Sequence, residues 1–397
     1  MTSFLITNAR VVTPTEVLEN ASVQVEQGVI IKIDKDNSAE AAGLPVIDAQ
    51  GNIVMPGIID IHTDALDAEV IPRPGADIPV AVAFRELERK MSGCGFTTVY
   101  HSLHLGYEVA ETYSRSKYTR AEIFDGVYNS SLGQTLLDNK IHLRFELSGV
   151  NSYDECFSLI DRGYVQLLSV MDHTPGQGQF SRENFMKMMI KSGKTEEQAT
   201  AEFEELAARP RIEGEKLQRL LDHARRHGIP VASHDDDSPE KVDLMRNLGV
   251  AICEFPITMD TASHAAELGM HVVGGASNIL RGGSLSGNVS MTEAVLKGYV
   301  DTLCSDYYPP AIIHSVFKLH REHGLPLPQA INLATLNPAK AVGIDAYTGS
   351  LEEGKDADLL IVRLIDEIPM VTHTVVKGNV VSQAATKIHK QNLETAF

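Results

Sequence analysis

The chain is short of positive charge: 35 lysines and arginines stand against 53 aspartates and glutamates, a formal net charge of −18 over 397 residues. Such a field repels polyanions and no basic stripe offsets it, so nucleic-acid binding is excluded and an anionic substrate must be held by local groups. Cysteine is scarce. Cys94, Cys156, Cys253 and Cys304 show no Cys-x-x-Cys spacing, and three of them lie in apolar surroundings, which reads as buried free thiols rather than a disulfide framework. Long apolar runs are missing too: none reaches the roughly 18 residues of a membrane span. Met1 to Val11 lacks the basic-then-apolar pattern of a secretion signal. These absences predict a cytoplasmic protein without a membrane or nucleic-acid partner.

What is present is the composition of an ordinary folded protein, 43% hydrophobic and 22% charged. The length suits an α/β barrel, which alone takes about 250 residues, plus one small companion unit. Residues 4–14 and 21–34 read as short strands, with period-two alternation in Ser22-Val23-Gln24-Val25, and 358–362 and 372–381 form a matching β-rich segment at the other end. The two ends are expected to pair into a small β-sandwich of residues 1–52 and 345–397. Between them, apolar runs alternate with helical segments, the mark of βα units and a parallel sheet. Eight candidate strands, 53–61, 96–103, 142–148, 165–171, 230–234, 251–255, 271–276 and 302–305, predict a (β/α)8 TIM-like barrel over 53–344. Stretches 107–140 and 174–212 read as insertions at the strand ends, where substrate contacts and lids are usually found. Asn337 is expected to cap a helix with Pro338 in its first turn.

Polar residues crowd the C-terminal tips of these strands, the active-site face of a barrel. The run Val54 to Ile61 ends in His62-Thr63-Asp64, and alternation puts His62 and Asp64 on one face, where imidazole and carboxylate can share a divalent ion. A satisfied polar pair is the plainer alternative. Pro230 to Ser233 ends in His234 followed by Asp235-Asp236-Asp237; a solvated acidic loop explains the aspartates but not a histidine at the strand tip. The last strand ends in Asp306, placed to orient and deprotonate a metal-bound water. Glu146, as a ligand or as an ion-pair partner of Arg144, and His173 beside Asp172 are candidates for a bridging position. Gly282-Gly283-Ser284 after Arg281 offers backbone N–H groups and a guanidinium to an anion, and Arg73, between Pro72 and Pro74, offers a second phosphate contact. A flexible surface loop and an exposed arginine are the competing readings.

Pro56-Gly57-Ile58-Ile59-Asp60-Ile61-His62, then Thr335 to Ala339, then Gly354-Lys355-Asp356-Ala357-Asp358-Leu359 resemble the amidohydrolase superfamily, in order and across nearly the whole chain. The superfamily's usual first-strand His-x-His is His62-Thr63-Asp64 here. A narrower resemblance accommodates that departure. Pro72-Arg73-Pro74-Gly75, Met171-Asp172-His173-Thr174-Pro175-Gly176-Gln177, Ser233-His234-Asp235-Asp236, Glu254-Phe255-Pro256 and Arg281-Gly282-Gly283-Ser284 resemble the phosphonate-metabolism hydrolases of the carbon–phosphorus lyase pathway. The resemblance implies that water cleaves a ribose 1-methylphosphonate 5-triphosphate to the 5-monophosphate and pyrophosphate. One or two divalent ions are expected on His62, Asp64, His234 and one or more of Glu146, His173 and Asp306, with zinc ranked ahead of manganese, iron and nickel. Asp306 is expected to take the proton, and Arg73, Arg281 and the Gly282-Gly283-Ser284 backbone to neutralise a small phosphorylated substrate. A homo-oligomer and other phosphonate-pathway proteins are the expected partners. Two rival readings stand: a hydrolase of C–N bonds on the same metal, and a non-catalytic oligomeric binding module. His101 and His104 match no position of the pattern.

Overall fold

The computed structural model describes residues 2–36, 43–73, 75–106, 117–175, 182–283 and 289–385. The N-terminal strands are β1 (Phe4–Val12), β2 (Val17–Glu26), β3 (Val29–Asp34), β4 (Val46–Asp48) and β5 (Ile53–Pro56). Next come β6 (Ile58–Thr63), β7 (Phe96–Leu105), β8 (Asp138–Glu146), β9 (Leu167–Met171), β10 (Val231–His234), β11 (Ile252–Glu254), β12 (His271–Gly275) and β13 (Thr302–Cys304). The chain ends with β14 (Leu359–Ile365), β15 (Ile368–Val376) and β16 (Asn379–Gln383).

Strands β6 to β13 are the eight parallel strands of a barrel, each paired with the next in chain order. A bridge between Thr63 and Asp306 closes the ring: the Asp306 N–H donates to the His62 carbonyl at 3.1 Å and the Asp64 N–H to the Asp306 carbonyl at 2.8 Å. The remaining strands form a separate, mostly antiparallel sheet in the order β16-β15-β14-β5-β1-β2-β3, with β4 and β5 parallel to β1. The N- and C-terminal segments therefore meet through the β5–β14 ladder.

The expected strand 53–61 is two strands. Ile53–Pro56 belongs to the terminal sheet, while Ile58 starts the barrel with its N–H on the Gly95 carbonyl at 3.0 Å. Gly57 is the joint: a Cβ there would lie 2.2 Å from Thr97 side-chain atoms, so only glycine fits. Because 53–61 is buried throughout, an apolar run hides the transfer between sheets. Strand β8 likewise begins at Asp138, so the last residues of the expected insertion 107–140 are strand. Within 174–212 lie helices Arg182–Lys191 and Glu196–Ala207.

Alternation sorts the barrel residues. Outward-facing Val99, Leu103, Leu143, Phe145, Leu168, Val170 and Leu303 join the core between strands and helices. Inside, Ile59, Ile61, Tyr100, Leu167, Ala232, Ile252, Val273 and Cys304 fill the lower barrel, and Ala339, Ala341, Val342 and Ile344 plug it. Each large aliphatic side chain so buried contributes about 1.5–3 kcal/mol. The interior above this layer is left to polar residues.

The plugging helix runs Leu336–Ala341 with Thr335 at the cap position, so the cap expected at Asn337 is corrected: its Nδ2 donates to the Asp301 carbonyl at 2.6 Å and ties the helix to the approach to β13. Pro338 does fall in the first turn. All four cysteines are free, three of them buried. Among the described residues no helix is long and apolar enough to cross a membrane.

Candidate active site

Strand β8 supplies the centre of the polar layer. His142, Arg144 and Glu146 alternate inward and are all buried, because odd-numbered Ile141, Leu143 and Phe145 take the outward core positions. Strand β6 contributes His62 through a register slip between Asp60 and Thr63, which lets consecutive Ile61 and His62 both turn inward. Three other tips end alike: Asp235, Phe255 and Asp306 have φ of 53°, 55° and 59°. The left-handed turn swings the chain out of the barrel immediately beyond His234, Glu254 and Ser305, a strained conformation of the sort that clusters at functional sites.

The expected residues His62, Asp64 and Asp306 place ligand-type atoms within 4.8 Å of one another. His173, His234 and Asp235 form a second such triad, and His62, His142 and Glu254 a third. The groups adjoin: the His62 and His234 rings are 5.5 Å apart, and those of His173 and His234 5.7 Å. Carboxylates orient the imidazoles. His62 Nδ1 is 3.2 Å from Glu254 Oε1, and His173 Nδ1 is 2.7 Å from Glu146 Oε2. With protons on both Nδ1 atoms, each Nε2 keeps its lone pair for the cluster, the usual carboxylate–histidine arrangement behind a metal. Glu146 Oε1 also accepts the His173 backbone N–H at 2.9 Å, which places Glu146 behind His173 rather than beside Arg144.

Arg144 is turned the other way. Its Nη1 donates to both Asp64 oxygens at 2.9 and 3.1 Å and to His104 Nε2 at 2.9 Å, and its Nη2 to His234 Nε2 at 3.1 Å. A guanidinium has no acceptor, so these atoms point lone pairs at a positive centre, as they would at a metal. Burial and the Arg144 charge hold the His62 imidazole well below the usual histidine range, so it is neutral at neutral pH. Burial, reinforced by Asp64, pushes the Asp306 carboxyl up to about 6. At Asp235 burial pushes upward, but His234, His173 and Arg144 outweigh it and bring the carboxyl down to about 2.

A divalent ion fits this donor set. Four carboxylates (Asp64, Asp235, Glu254, Asp306) share the field of one guanidinium, Arg144, and Glu254 Oε2 is buried with no hydrogen-bond partner. An uncompensated buried carboxylate is costly without a cation beside it.

Other expectations fall elsewhere. The Gly282 and Gly283 N–H groups already donate to the Ile279 and Asn278 carbonyls at 3.2 and 2.9 Å, closing the helix Ala276–Arg281 with Gly282 left-handed. This is a helix C-terminus, the negative end of its dipole, so the expected backbone cradle for an anion is not there. Ser284 lies outside the described residues. Arg281 and Arg73 are exposed, and no hydrogen bond or ion pair among the described residues links either to the cluster. His101 faces outward against Phe84, with Nε2 2.9 Å from Asn139 Oδ1, and is structural, whereas His104 joins the site through Arg144. His142, Arg144, Asp235 and Glu254 complete the cluster without having been named as ligands. The period-two series 142, 144, 146 and the strand-tip position of Glu254 were the signals for them.

The sequence pattern of the amidohydrolase family matches residues 205–381. Over 375 residues the chain is 34% identical to the alpha-D-ribose 1-methylphosphonate 5-triphosphate diphosphatase of Escherichia coli strain K12, spanning 93% of this chain and 97% of that protein. The chain belongs to the amidohydrolase family. An imidazolonepropionase of Thermoplasma volcanium is a more distant relative, 23% identical across 89% of this chain and 86% of its own. Among solved structures, the 5-methylcytosine deaminase of Klebsiella pneumoniae shares the fold, with a TM-score of 0.65 at 17% identity, covering 97% of this chain and 100% of that one. Amidohydrolases are metal-dependent, and this one has its candidate ligands at the barrel's C-terminal face.

Proposed function

We propose that the enzyme hydrolyses the 5-triphosphate of a ribose 1-methylphosphonate, releasing pyrophosphate and leaving the 5-monophosphate. The observation that carries this reading is the 34% identity to the E. coli diphosphatase over 93% of the chain, which includes every residue of the polar cluster's strands. His62, Asp64 and Asp306 would hold one divalent ion, with His234, His173 and Asp235 forming an adjoining set for a second; zinc suits imidazole and carboxylate best, with manganese, iron and nickel also matching the donors. When bound, the ion supplies Lewis acidity and lowers the pKa of water from about 15.7 to about 7.

The protein's part follows from its own groups. Asp306, ionised at neutral pH yet basic for a carboxylate, accepts the proton of the attacking water. The water oxygen bonds to phosphorus as the bridging P–O bond to pyrophosphate breaks. Glu254 and Glu146 fix the imidazole tautomers, and Arg144 holds Asp64 in place. Arg73 and Arg281, the latter at the end of the helix Ala276–Arg281 that follows β12, would meet phosphate oxygens. Cytoplasmic location, a homo-oligomeric assembly and neighbours from the same pathway accompany this reading.

The test is a substrate panel. Chelated enzyme reloaded with zinc or manganese is given ribose and nucleoside 5-triphosphates beside cyclic amides and N-acyl compounds. Pyrophosphate release confined to metal-loaded enzyme, and weakened at least tenfold in kcat/KM by Arg281→Ala, is expected. Turnover of a C–N substrate with no pyrophosphate would replace the proposal.

A further inference from the structure

A second group of metal-type ligands lies outside the active centre and takes no part in the chemistry above. Asp161 ends the helix Tyr153–Asp161, His223 sits in the last turn of the helix Gly214–Arg226, and His227 follows as that helix's cap residue. Their ligand-type atoms lie within 4.8 Å of one another. In a βα unit the helix C-terminus leads into the next strand's start, and these helices run into β9 and β10. The group is therefore on the opposite end of the barrel from the strand tips, the end associated with stability.

Four observations make this more than a surface ion pair. Both imidazole Nε2 atoms approach one oxygen, Asp161 Oδ1, at 2.7 Å from His223 and 3.5 Å from His227. His227 Nδ1 donates to the His223 carbonyl at 3.0 Å, which fixes its proton on Nδ1 and aims the Nε2 lone pair into the cluster. His223 is held by Phe157, ring centroids 4.7 Å apart, and the two histidine rings are 4.5 Å apart, one helical turn along the chain. Three nearby cations are engaged elsewhere, Arg162 on Asp125, Arg225 on Asp222 and Arg226 on the Asp222 carbonyl, while Arg219 lies over the Phe157 ring. The Asp161 and His227 side chains are 57% and 40% exposed, so an ion reaches the site directly from solvent.

We propose that Asp161, His223 and His227 form a peripheral site for a divalent transition ion, Zn2+ or a borderline ion of like preference, that staples two adjacent barrel helices. Two imidazoles and a carboxylate are the donors such ions select, and water completes the coordination. The site is independent of the hydrolytic reading.

The test titrates chelated full-length protein with Zn2+ near pH 7.5, where about nine in ten free imidazoles are neutral, against a chromophoric competitor. Wild type is expected to bind one equivalent more than His227→Ala. The active-site double variant His62→Ala/His234→Ala is expected to keep that equivalent, and Asp161→Asn to weaken it about tenfold. His227→Gln, which preserves bulk at an exposed position, separates lost binding from altered folding. Identical stoichiometry and affinity in wild type, His227→Ala and His227→Gln would overturn the proposal.

Discussion

Arg144 is where the site's electrostatics concentrate, since one buried guanidinium answers Asp64, His104 and His234 together. Removing one partner of a buried ion pair costs about 3–5 kcal/mol. The Asp64 side chain keeps 32% exposure, so on the order of 2–3 kcal/mol is expected for Arg144→Met in chelated protein. Zinc should restore part of that loss, because an ion can take over the freed Asp64 and His234 lone pairs. Thermal melts with and without zinc check this; a variant as stable as wild type, or one that zinc leaves unchanged, would show that Arg144 does not stand where a cation belongs. A second residue tests burial itself. Asp358, with the Thr348 hydroxyl at 2.8 Å and the Lys377 N–H at 2.8 Å, is pushed by burial up to about 6. Its folded pKa exceeds its unfolded one, so the charged form destabilises the fold: this group's contribution rises as pH falls through 6 and levels off below about 4, on the order of 3 kcal/mol in all. Asp358→Asn, neutral throughout, should be more stable than wild type at pH 7 and lose that advantage toward pH 4. A pH-independent Tm difference would refute the assignment. At this scale the sequence was legible where an apolar run stops at a single polar residue, as at His62, His234 and Asp306. It was opaque where a polar residue interrupts the run itself: His142 and Arg144 break the β8 pattern, and only their shared parity with Glu146 marks them as one face.

Among the elements, the β5–β6 junction bears the most on the site, because it fixes where β6, the strand that carries His62, enters the barrel. Gly57→Ala would drive a methyl into Thr97, and overpacking of this kind costs about 1–3 kcal/mol, occasionally more. A Tm lowered by several degrees, with zinc affinity reduced because β6 must shift, is expected; an unchanged Tm would mean the joint is slack. The eight barrel strands were readable from alternating apolar runs and helical segments, since each buried parallel strand must be almost wholly apolar on its outer face. The break at Gly57 was not, since residues on both sides are buried for different reasons, one in the terminal sheet and one in the barrel. The Gly282-Gly283 loop misled for a related cause. Glycines that free N–H groups for an anion and glycines that end a helix look alike in sequence, and only the partners at Ile279 and Asn278 tell them apart.

For the whole molecule, the terminal sheet joins the first and last segments through β5 and β14, so the barrel's first strand is anchored by residues more than 300 positions away. The sequence announced the pairing of two β-rich ends but not its route through β5, since the unbroken apolar run 53–61 reads as a single barrel strand. With its lower interior filled and plugged, the barrel keeps its polar layer at the strand tips, where an acidic protein gathers carboxylates around histidines. The measurement that tests this account most directly is pyrophosphate release from ribose 1-methylphosphonate 5-triphosphate by zinc-loaded wild type and Asp306→Asn, with bound metal counted in both. The account predicts release by wild type, its loss upon chelation, and a drop of at least about a hundredfold in kcat for Asp306→Asn, the lower end of what positioned acid–base groups contribute, while the variant still binds zinc. Release that persists at the wild-type rate in metal-loaded Asp306→Asn, or in chelated enzyme, would contradict it.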